Sequence, residues 1–398
     1  MINFDLTAEQ TAAQGQFRDW VDEHVAPFAD QFDERQETPD RLIESLAKMG
    51  YLGALVPQKF GGAEMDHLTW GLLCEEVGRT SASLLSLLTV HSMMIQAIVK
   101  WGTEEQKYKW LPKLATGEVI GAFGLTEPNI GSDARHIEST AIKQDDGSYI
   151  LNAEKRWISF GSTATLFVIF ALVDNQPAAF LVERSMDGFA SEPIRGMLGF
   201  RSANIANLSI KDVHVPASNV LGRPGFGFSH IASTALDQGR YSIAWGCVGL
   251  AQASLEASMS YAGRRHQFGK PIVEHQLIQE MLTEMIVQTK AARMFCLHAA
   301  YLKIKGEPAL IMETSTAKYF ASKVAVMASN SAVQIHGANG CSSDYPVQRY
   351  FRDARVMEII EGSTQMQQIM IARAGHQQHL EDQRDRESAK IAGVLLDE

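Results

Sequence analysis

Thr165–Leu166–Phe167–Val168–Ile169–Phe170–Ala171–Leu172–Val173 is the run on which the fold turns. It is short and crowded with β-branched and aromatic side chains. It also lacks the three-to-four-residue apolar rhythm that dominates the chain on either side, so it reads as a strand. Ala178–Val182 and Leu208–Val215 read the same way. Between Val119 and Val215 the helical period fades, and Gly-Ser, Asp-Gly and Pro-containing turns punctuate the sequence at the intervals of a small antiparallel barrel or sandwich.

Before this segment the chain reads as helical almost throughout. Thr7 with Gln10 makes a capping box, after which Phe17, Trp20, Val21 and Val25 recur at helical spacing until Pro27. Apolar stripes follow around 42–49, 67–78 and 83–100. Thr103 and Gln106 cap a further short helix expected to end near Pro112. After the β segment, long amphipathic stretches at about 226–266, 274–304, 309–337 and 346–373 suggest a four-helix bundle. The fold class is therefore α+β: an all-α N-terminal domain over 1–117, a middle β-barrel or sandwich domain over 118–223, a C-terminal four-helix bundle over 224–375, and a charged, Gln-rich, loosely held tail over 376–398.

Charge and composition narrow the function. A net charge of −10 and the lack of any dense Lys/Arg block argue against nucleic acid as a partner. The four cysteines are far apart, with no spacing that suggests zinc, and read as thiols of a reducing compartment; no metal is expected. No basic and apolar leader opens the sequence and no run approaches 18 apolar residues, so the expectation is a cytoplasmic protein with no membrane partner.

Four segments carry chemistry. In Met357–Gln367, Glu361 lies at a break between helical stretches, among apolar neighbours that raise a carboxyl pKa toward that of a general base; the same pattern also suits a surface Glu before a helix. Gly124–Asp133 delivers Thr126 into a loop with Gly131 and Ser132, whose hydroxyls and backbone N–H groups suit a polar ligand or simply a capped connection. Lys155–Gly161 sets Trp157 near Ser159, either as core or as a site for a flat ring needing one hydrogen bond. Arg264–Pro271 combines cations, Phe268 and a Gly turn, suiting a diphosphate and a stacked base, or a helix dipole. Gly222–Gly227 lacks dinucleotide-fold context and reads as a hinge; His336 reads as structural.

In this order, FGLTEPNIGSD (123–133), KRWISFG (155–161), RRHQFGKPIVEHQ (264–276), AVQIHGANG (332–340) and FRDARVMEIIEGSTQMQ (351–367) resemble the blocks of the acyl-CoA dehydrogenase family, over essentially the whole chain to Arg373. The resemblance implies a homotetramer, or a homodimer, binding FAD and oxidising an acyl-CoA or acyl-carrier-protein thioester. Electrons then pass to electron-transfer flavoprotein or another acceptor.

Residue by residue, the resemblance places Phe123, Leu125, Thr126 and Trp157 along the isoalloxazine, with Ser159, where Thr is usual, near N5. Arg265, Phe268, Gln276, Gln334 and Gly337 match positions holding the adenine and diphosphate across a subunit interface; Ser363 and Gln365 also match FAD contacts. Ser132 is assigned to both cofactor and substrate, and Asp237, Arg240 and Gly362 to substrate. Glu361 falls on the family's catalytic base. Some members carry the base just before an Arg matched here by Arg240, but that slot is Gly239, and Asp237 is two residues off and short. In the family the thioester carbonyl takes hydrogen bonds from the base's own N–H and a flavin ribityl hydroxyl, the base removes the α-proton, and the β-hydrogen leaves as hydride to N5.

Two subgroups look closest: GRYSIAWG (239–246) is similar to glutaryl-CoA dehydrogenases, while AWGCVG (244–249) and MEIIEGS (357–363) are similar to carrier-protein-linked dehydrogenases making hydroxymalonyl or aminomalonyl units. Both tend to carry an Arg in the helix matched by Ser83–Thr89, which has no cation here, favouring a short or medium apolar acyl group. A flavin oxidase or monooxygenase on the same scaffold stays open as the alternative.

Overall fold

The computed structural model describes residues 5–306 and 310–396. The N-terminal third is helical: α1 Ala8–His24, α2 Ala29–Arg35, α3 Asp40–Lys48, α4 His67–Thr80, α5 Ala82–Trp101 and α6 Glu104–Thr116. Closed capping boxes start α1 at Thr7/Gln10 and α6 at Thr103/Gln106. α6 does not stop at Pro112 as expected but continues to Thr116 and is ended by Gly117 at φ 75°. A proline there forfeits a hydrogen bond to the Tyr108 carbonyl.

Eight strands follow: β1 Gly121–Gly124, β2 Thr140–Lys143, β3 Tyr149–Ile158, β4 Leu166–Val173, β5 Gln176–Glu183, β6 Phe189–Pro193, β7 Ala206–Val215 and β8 Val220–Leu221. They form one sheet in the order β6-β7-β3-β2-β4-β5-β8, with β1 also pairing to β4. The antiparallel expectation needs one correction, since β1 and β2 both run parallel to β4.

β4 is buried on both faces, and period-2 alternation sends its side chains into two cores. Phe167, Ile169 and Ala171 join the large core shared with the bundle, while Leu166, Val168 and Phe170 join Met93, Met94 and Ile98 of α5 and Trp110 of α6. α5 has the length and apolar composition to cross a membrane, although 89% of its most apolar window is buried within the protein.

The C-terminal part opens with a π-helical stretch, Gly227–Ala232, continuous with α7 Ser233–Arg264. A small hairpin, β9 His266–Gln267 with β10 Lys270–Pro271, leads to α8 Gln276–Lys305, α9 Leu310–His336, α10 Val347–Met357 and α11 Thr364–Leu396. The amphipathic stretch over 346–373 is two helices, broken at 358–363 where the sequence places Glu361 at a break. The segment expected as a tail from 376 continues α11, with its side chains exposed from 375 to 388.

α7 is the axis of the molecule. It approaches α4 backbone to backbone, since a β-carbon on Gly78 would lie 2.5 Å from the Gly246 Cα and one on Gly249 2.0 Å from the Glu75 carbonyl oxygen. The β-sheet docks on the bundle through Asp353 of α10, which accepts the Phe200 N–H at 2.8 Å. Burial pushes that carboxyl up to about 6 despite Arg349 nearby.

Candidate active site

The break between α10 and α11 is a tight bend, closed by the Thr364 N–H donating to the Glu358 carbonyl at 2.9 Å. Glu361 sits at φ 54° and Gly362 at φ 88°. Left-handed backbone is open to glycine but costs a residue with a β-carbon about 1–2 kcal/mol. Three side chains hold the bend from outside. Arg240 Nε donates to the Glu361 carbonyl at 3.1 Å, and Lys318 Nζ donates to the Gly362 carbonyl at 2.9 Å. Gln367 Nε2 donates to both carbonyls, at 3.1 and 3.2 Å.

The Glu361 residue is half-buried overall, but its Oε2 is enclosed and has no hydrogen-bond partner among the described residues. Facing it is Gly239 of α7: a β-carbon there would lie 2.3 Å from Oε2 and 2.9 Å from the Met93 sulfur of α5. Burial raises the Glu361 pKa to about 7, against the opposing pull of Arg240 and Lys318. The Glu361 N–H likewise has no partner among the described residues. An unpartnered carboxylate oxygen and an unpartnered N–H thus share one turn, with the hollow at Gly239 of α7 facing the carboxylate.

Asp237 is no rival. It is ion-paired with Lys303 of α8, leaving only Oδ1 unpartnered. Asp237, Gln238 and Lys303 line a cleft of about 470 Å³ with His67, Gln96, Lys100 and Trp101. The His67 Nδ1 is also unpartnered, and burial pushes that imidazole down to about 4. The π-helical stretch turns Ser229 and His230 into the same cleft, where His230 stacks on Phe226 at 4.1 Å. π-Helical insertions recur at functional sites. Lys100, Arg135 and Arg223 lie over Trp101, Phe228 and Phe226 at 5.5, 5.2 and 4.1 Å. None of the three cations has a carboxylate within 4.0 Å among the described residues.

The residues expected along a flat ring fall at the ends of β1 and β3. The Arg156 N–H donates to the Thr126 carbonyl at 2.9 Å, tying the two ends together. Beneath them, Lys155 Nζ and Glu127 Oε1 form an ion pair of 2.7 Å, and Glu127 also accepts the Ser139 N–H at 3.1 Å, so the loop after Leu125 is pinned from within. Phe123 and Leu125 are buried, Thr126 and Ser159 half-buried, and Ser132 is exposed on the loop. Trp157 is 46% exposed on left-handed backbone at φ 62°, with the Arg156 guanidinium 4.5 Å over its ring. Neither the Thr126 nor the Ser159 hydroxyl has a partner among the described residues. α5 connects this region to the Glu361 carboxylate: Met94 faces Gly121 of β1 while Met93 faces Gly239.

The remaining expected residues are not gathered with Glu361. Ser363 and Gln365 adjoin it, but Arg265, Phe268 and Gln276 lie around the β9–β10 hairpin. Arg265 is separated from Arg240 by roughly 38 Å of helix at 1.5 Å per residue. Gln334 and Gly337 end α9 at the hairpin's end of the bundle, where His336 stacks on Tyr261 of α7 at 4.2 Å. Phe268 is 93% exposed at φ 52°. Among the described residues no cluster could hold a metal ion. Sequence reading missed Lys318, Gln367 and Met93, which lie on apolar helical stripes and carry no local signal.

Comparison with known proteins agrees with this geometry. The chain matches the acyl-CoA dehydrogenase N-terminal, middle and C-terminal domains over residues 7–118, 122–213 and 225–376. It is 39% identical to a probable acyl-CoA dehydrogenase, YngJ, of Bacillus subtilis (strain 168), covering 94% of this chain and 99% of that one. Among solved structures, butyryl-CoA dehydrogenase from Megasphaera elsdenii superposes with a TM-score of 0.91 at 36% identity, covering 94% of this chain and 99% of that one. The prolyl acyl carrier protein oxidase AnaB superposes with a TM-score of 0.87 at 27% identity, covering 93% and 99%. The chain belongs to the acyl-CoA dehydrogenase family and is a flavin-dependent oxidoreductase that uses FAD. The half-exposed Trp157 indole, and the Thr126 and Ser159 hydroxyls unpartnered among the described residues, fit that cofactor's flat ring.

Proposed function

We propose that the protein dehydrogenates a short apolar acyl thioester at Cα–Cβ, with Glu361 as the α-proton base. The orphaned Glu361 carboxylate carries this reading. An acid with a pKa near 7 is about half ionised at neutral pH, and its carboxylate is basic enough to take a proton. The free Glu361 N–H is available to a thioester carbonyl and stabilises the charge that develops there. FAD supplies the hydride acceptor for the β-hydrogen. Phe123, Leu125, Thr126, Trp157, Ser159, Ser363 and Gln365 belong to the ring side. Ser132, Asp237, Arg240 and Gly362 border the substrate's path.

Support for a short acyl group comes from the seam between α5 and α7. Leu85, Thr89 and Met93 are all buried there, and a β-carbon on Gly246 would lie 2.0 Å from the Leu85 Cδ2. No cation faces that seam from Ser83–Thr89, so a second carboxylate would be buried uncompensated at a cost of several kcal/mol. Distance supports an oligomer: Arg265, Phe268, Gln276, Gln334 and Gly337 suit the adenine and diphosphate of a neighbouring subunit's FAD. The exposed α8 side chains Leu277, Val287, Met294, Tyr301 and Ile304 suit the contact in a homotetramer. The electrons then pass to electron-transfer flavoprotein or another acceptor.

A carrier-protein thioester is the second reading, favoured by Lys100 at the cleft and by Arg135 and Arg223 over Phe228 and Phe226, three cations with no carboxylate within 4.0 Å among the described residues, which suit an acidic carrier as well as the phosphates of CoA. Anaerobic addition of acyl-CoA and acyl-carrier-protein thioesters to the yellow protein tests both. Rapid bleaching by butyryl-CoA is expected; bleaching by carrier thioesters alone supports the second reading, and bleaching by neither sinks both.

A further inference from the structure

Lys318 is a buried cation that the chemistry above leaves unused. It projects from α9, is 0% exposed, and has no carboxylate within 4.0 Å among the described residues. Its one hydrogen bond is to the Gly362 carbonyl at 2.9 Å. An unpaired ammonium is costly to bury, and a packed helix could fill the same volume with Leu or Met at less cost. The carbonyl it grips belongs to the second left-handed residue of the bend, adjoining the strained Glu361. The charged or titratable groups around Lys318 are Cys247 and Arg240 on α7, Glu358 at the end of α10, and Glu361 itself.

We propose that Lys318 is a positioning residue for the Glu361 base, fixing the Glu361–Gly362 bend through the Gly362 carbonyl and serving as a counter-charge to the ionised carboxylate. This rests on the assignment of Glu361 as base. The two tasks separate chemically. Arg240 and Gln367 also hold the bend, so its shape has other supports. The counter-charge has only Arg240 besides, which spends its Nε on the Glu361 carbonyl. Burial already pulls Lys318 down to about 8, so its charge is retained at neutral pH and lost above it.

The test compares wild type with Lys318→Met, which removes charge and donor, and Lys318→Gln, which keeps a donor without charge. The Glu361 carboxyl band is titrated by infrared difference against Glu361→Gln in FAD-loaded, substrate-free protein, so the readout does not depend on turnover. Both variants are expected to titrate Glu361 about one pH unit higher than wild type. The pH profile of anaerobic flavin reduction by butyryl-CoA should shift alike, slowing reduction about fivefold at pH 7, approaching tenfold in acid and recovering in alkali. An unchanged midpoint in either variant overturns the proposal. Loss of FAD binding in both variants also overturns it, because Lys318 would then hold the fold rather than the base. If the infrared midpoint shifts while wild type is not bleached, the substrate assignment fails and the role of Lys318 stands.

Discussion

Gly239 of α7 and Glu361 of the α10–α11 bend occupy one space: a β-carbon on the first would stand 2.3 Å from the carboxylate oxygen of the second. That contact converts a sequence argument into a steric one. The slot before Arg240 is not merely without a carboxylate in this chain; it is hollow so that the carboxylate of another segment can fill it. Gly239→Ala should therefore push the base aside. We expect about 1–3 kcal/mol of lost stability from overpacking and at least a tenfold slower flavin reduction, with FAD still bound. A Gly239→Ala protein that reduces its flavin at the wild-type rate would show that Glu361 works from another position.

Glu361→Gln keeps shape and removes the base. Flavin reduction by the preferred thioester should slow by roughly 10²–10⁴, the usual worth of a positioned base. In wild type the rate should rise with pH through about 7 as Glu361 ionises. Stability moves the opposite way. The folded-state pKa is raised from 4.5, so between pH 4.5 and 7 the folded protein binds the extra proton and loses stability as pH rises, on the order of 3 kcal/mol in all. Melting of wild type and Glu361→Gln across that window measures it; parallel pH slopes would contradict the buried, unpartnered acid.

Much of this was legible because patterns of one residue type carry one consequence. The β-branched and aromatic run at Leu166–Val173 is β4, and Thr7/Gln10 and Thr103/Gln106 do close as capping boxes. Pro112 misled because one forfeited hydrogen bond does not end a helix that is capped at Thr103/Gln106 and stopped by Gly117. The parallel placing of β1 and β2 beside β4 escaped because strand order is set by which faces must be covered, not by the strand's own residues. Lys318 and Gln367 escaped for a related reason. Each looks like an ordinary polar interruption of a helix until the fold brings it against a carbonyl 44 or 5 residues away.

His91 ties α5 and α6 to the strand that leads into the Leu125–Thr126 loop. The Gly121 N–H donates to its Nδ1 at 3.1 Å, so Nε2 carries the proton and donates to the Leu114 carbonyl at 3.1 Å. Protonation would break the first bond inside the core, and burial pushes the pKa from 6.5 down to about 4. With the folded pKa depressed, the unfolded chain binds the proton first, and stability falls as pH drops from 6.5 toward 4. His91→Gln, which can keep one donor and one acceptor, should flatten that decline relative to wild type. An equally steep acid decline in His91→Gln would place its origin elsewhere, His67 being the next candidate.

The α5–α7 seam sets the last prediction. Gly239, Ile243 and Gly246 lie on one stripe of α7, opposite Met93, Thr89 and Leu85 on α5, and the Leu85 side chain fills the notch at Gly246. Seven residues of helix separate the two glycines, roughly 10 Å from the base to the plug. Leu85→Ala should open a cavity at the far end of that path, lowering stability by about 2–5 kcal/mol. The same cavity should shift the preferred acyl chain toward greater length, raising kcat/KM for hexanoyl- or octanoyl-CoA relative to butyryl-CoA by roughly tenfold, since each methylene newly buried gains about 0.8 kcal/mol. Comparing chain-length profiles at a temperature where both proteins stay folded separates specificity from stability. A profile unchanged by the cavity would mean that the acyl chain leaves Glu361 along another route, and the 470 Å³ cleft beyond Asp237 would then be the path to probe.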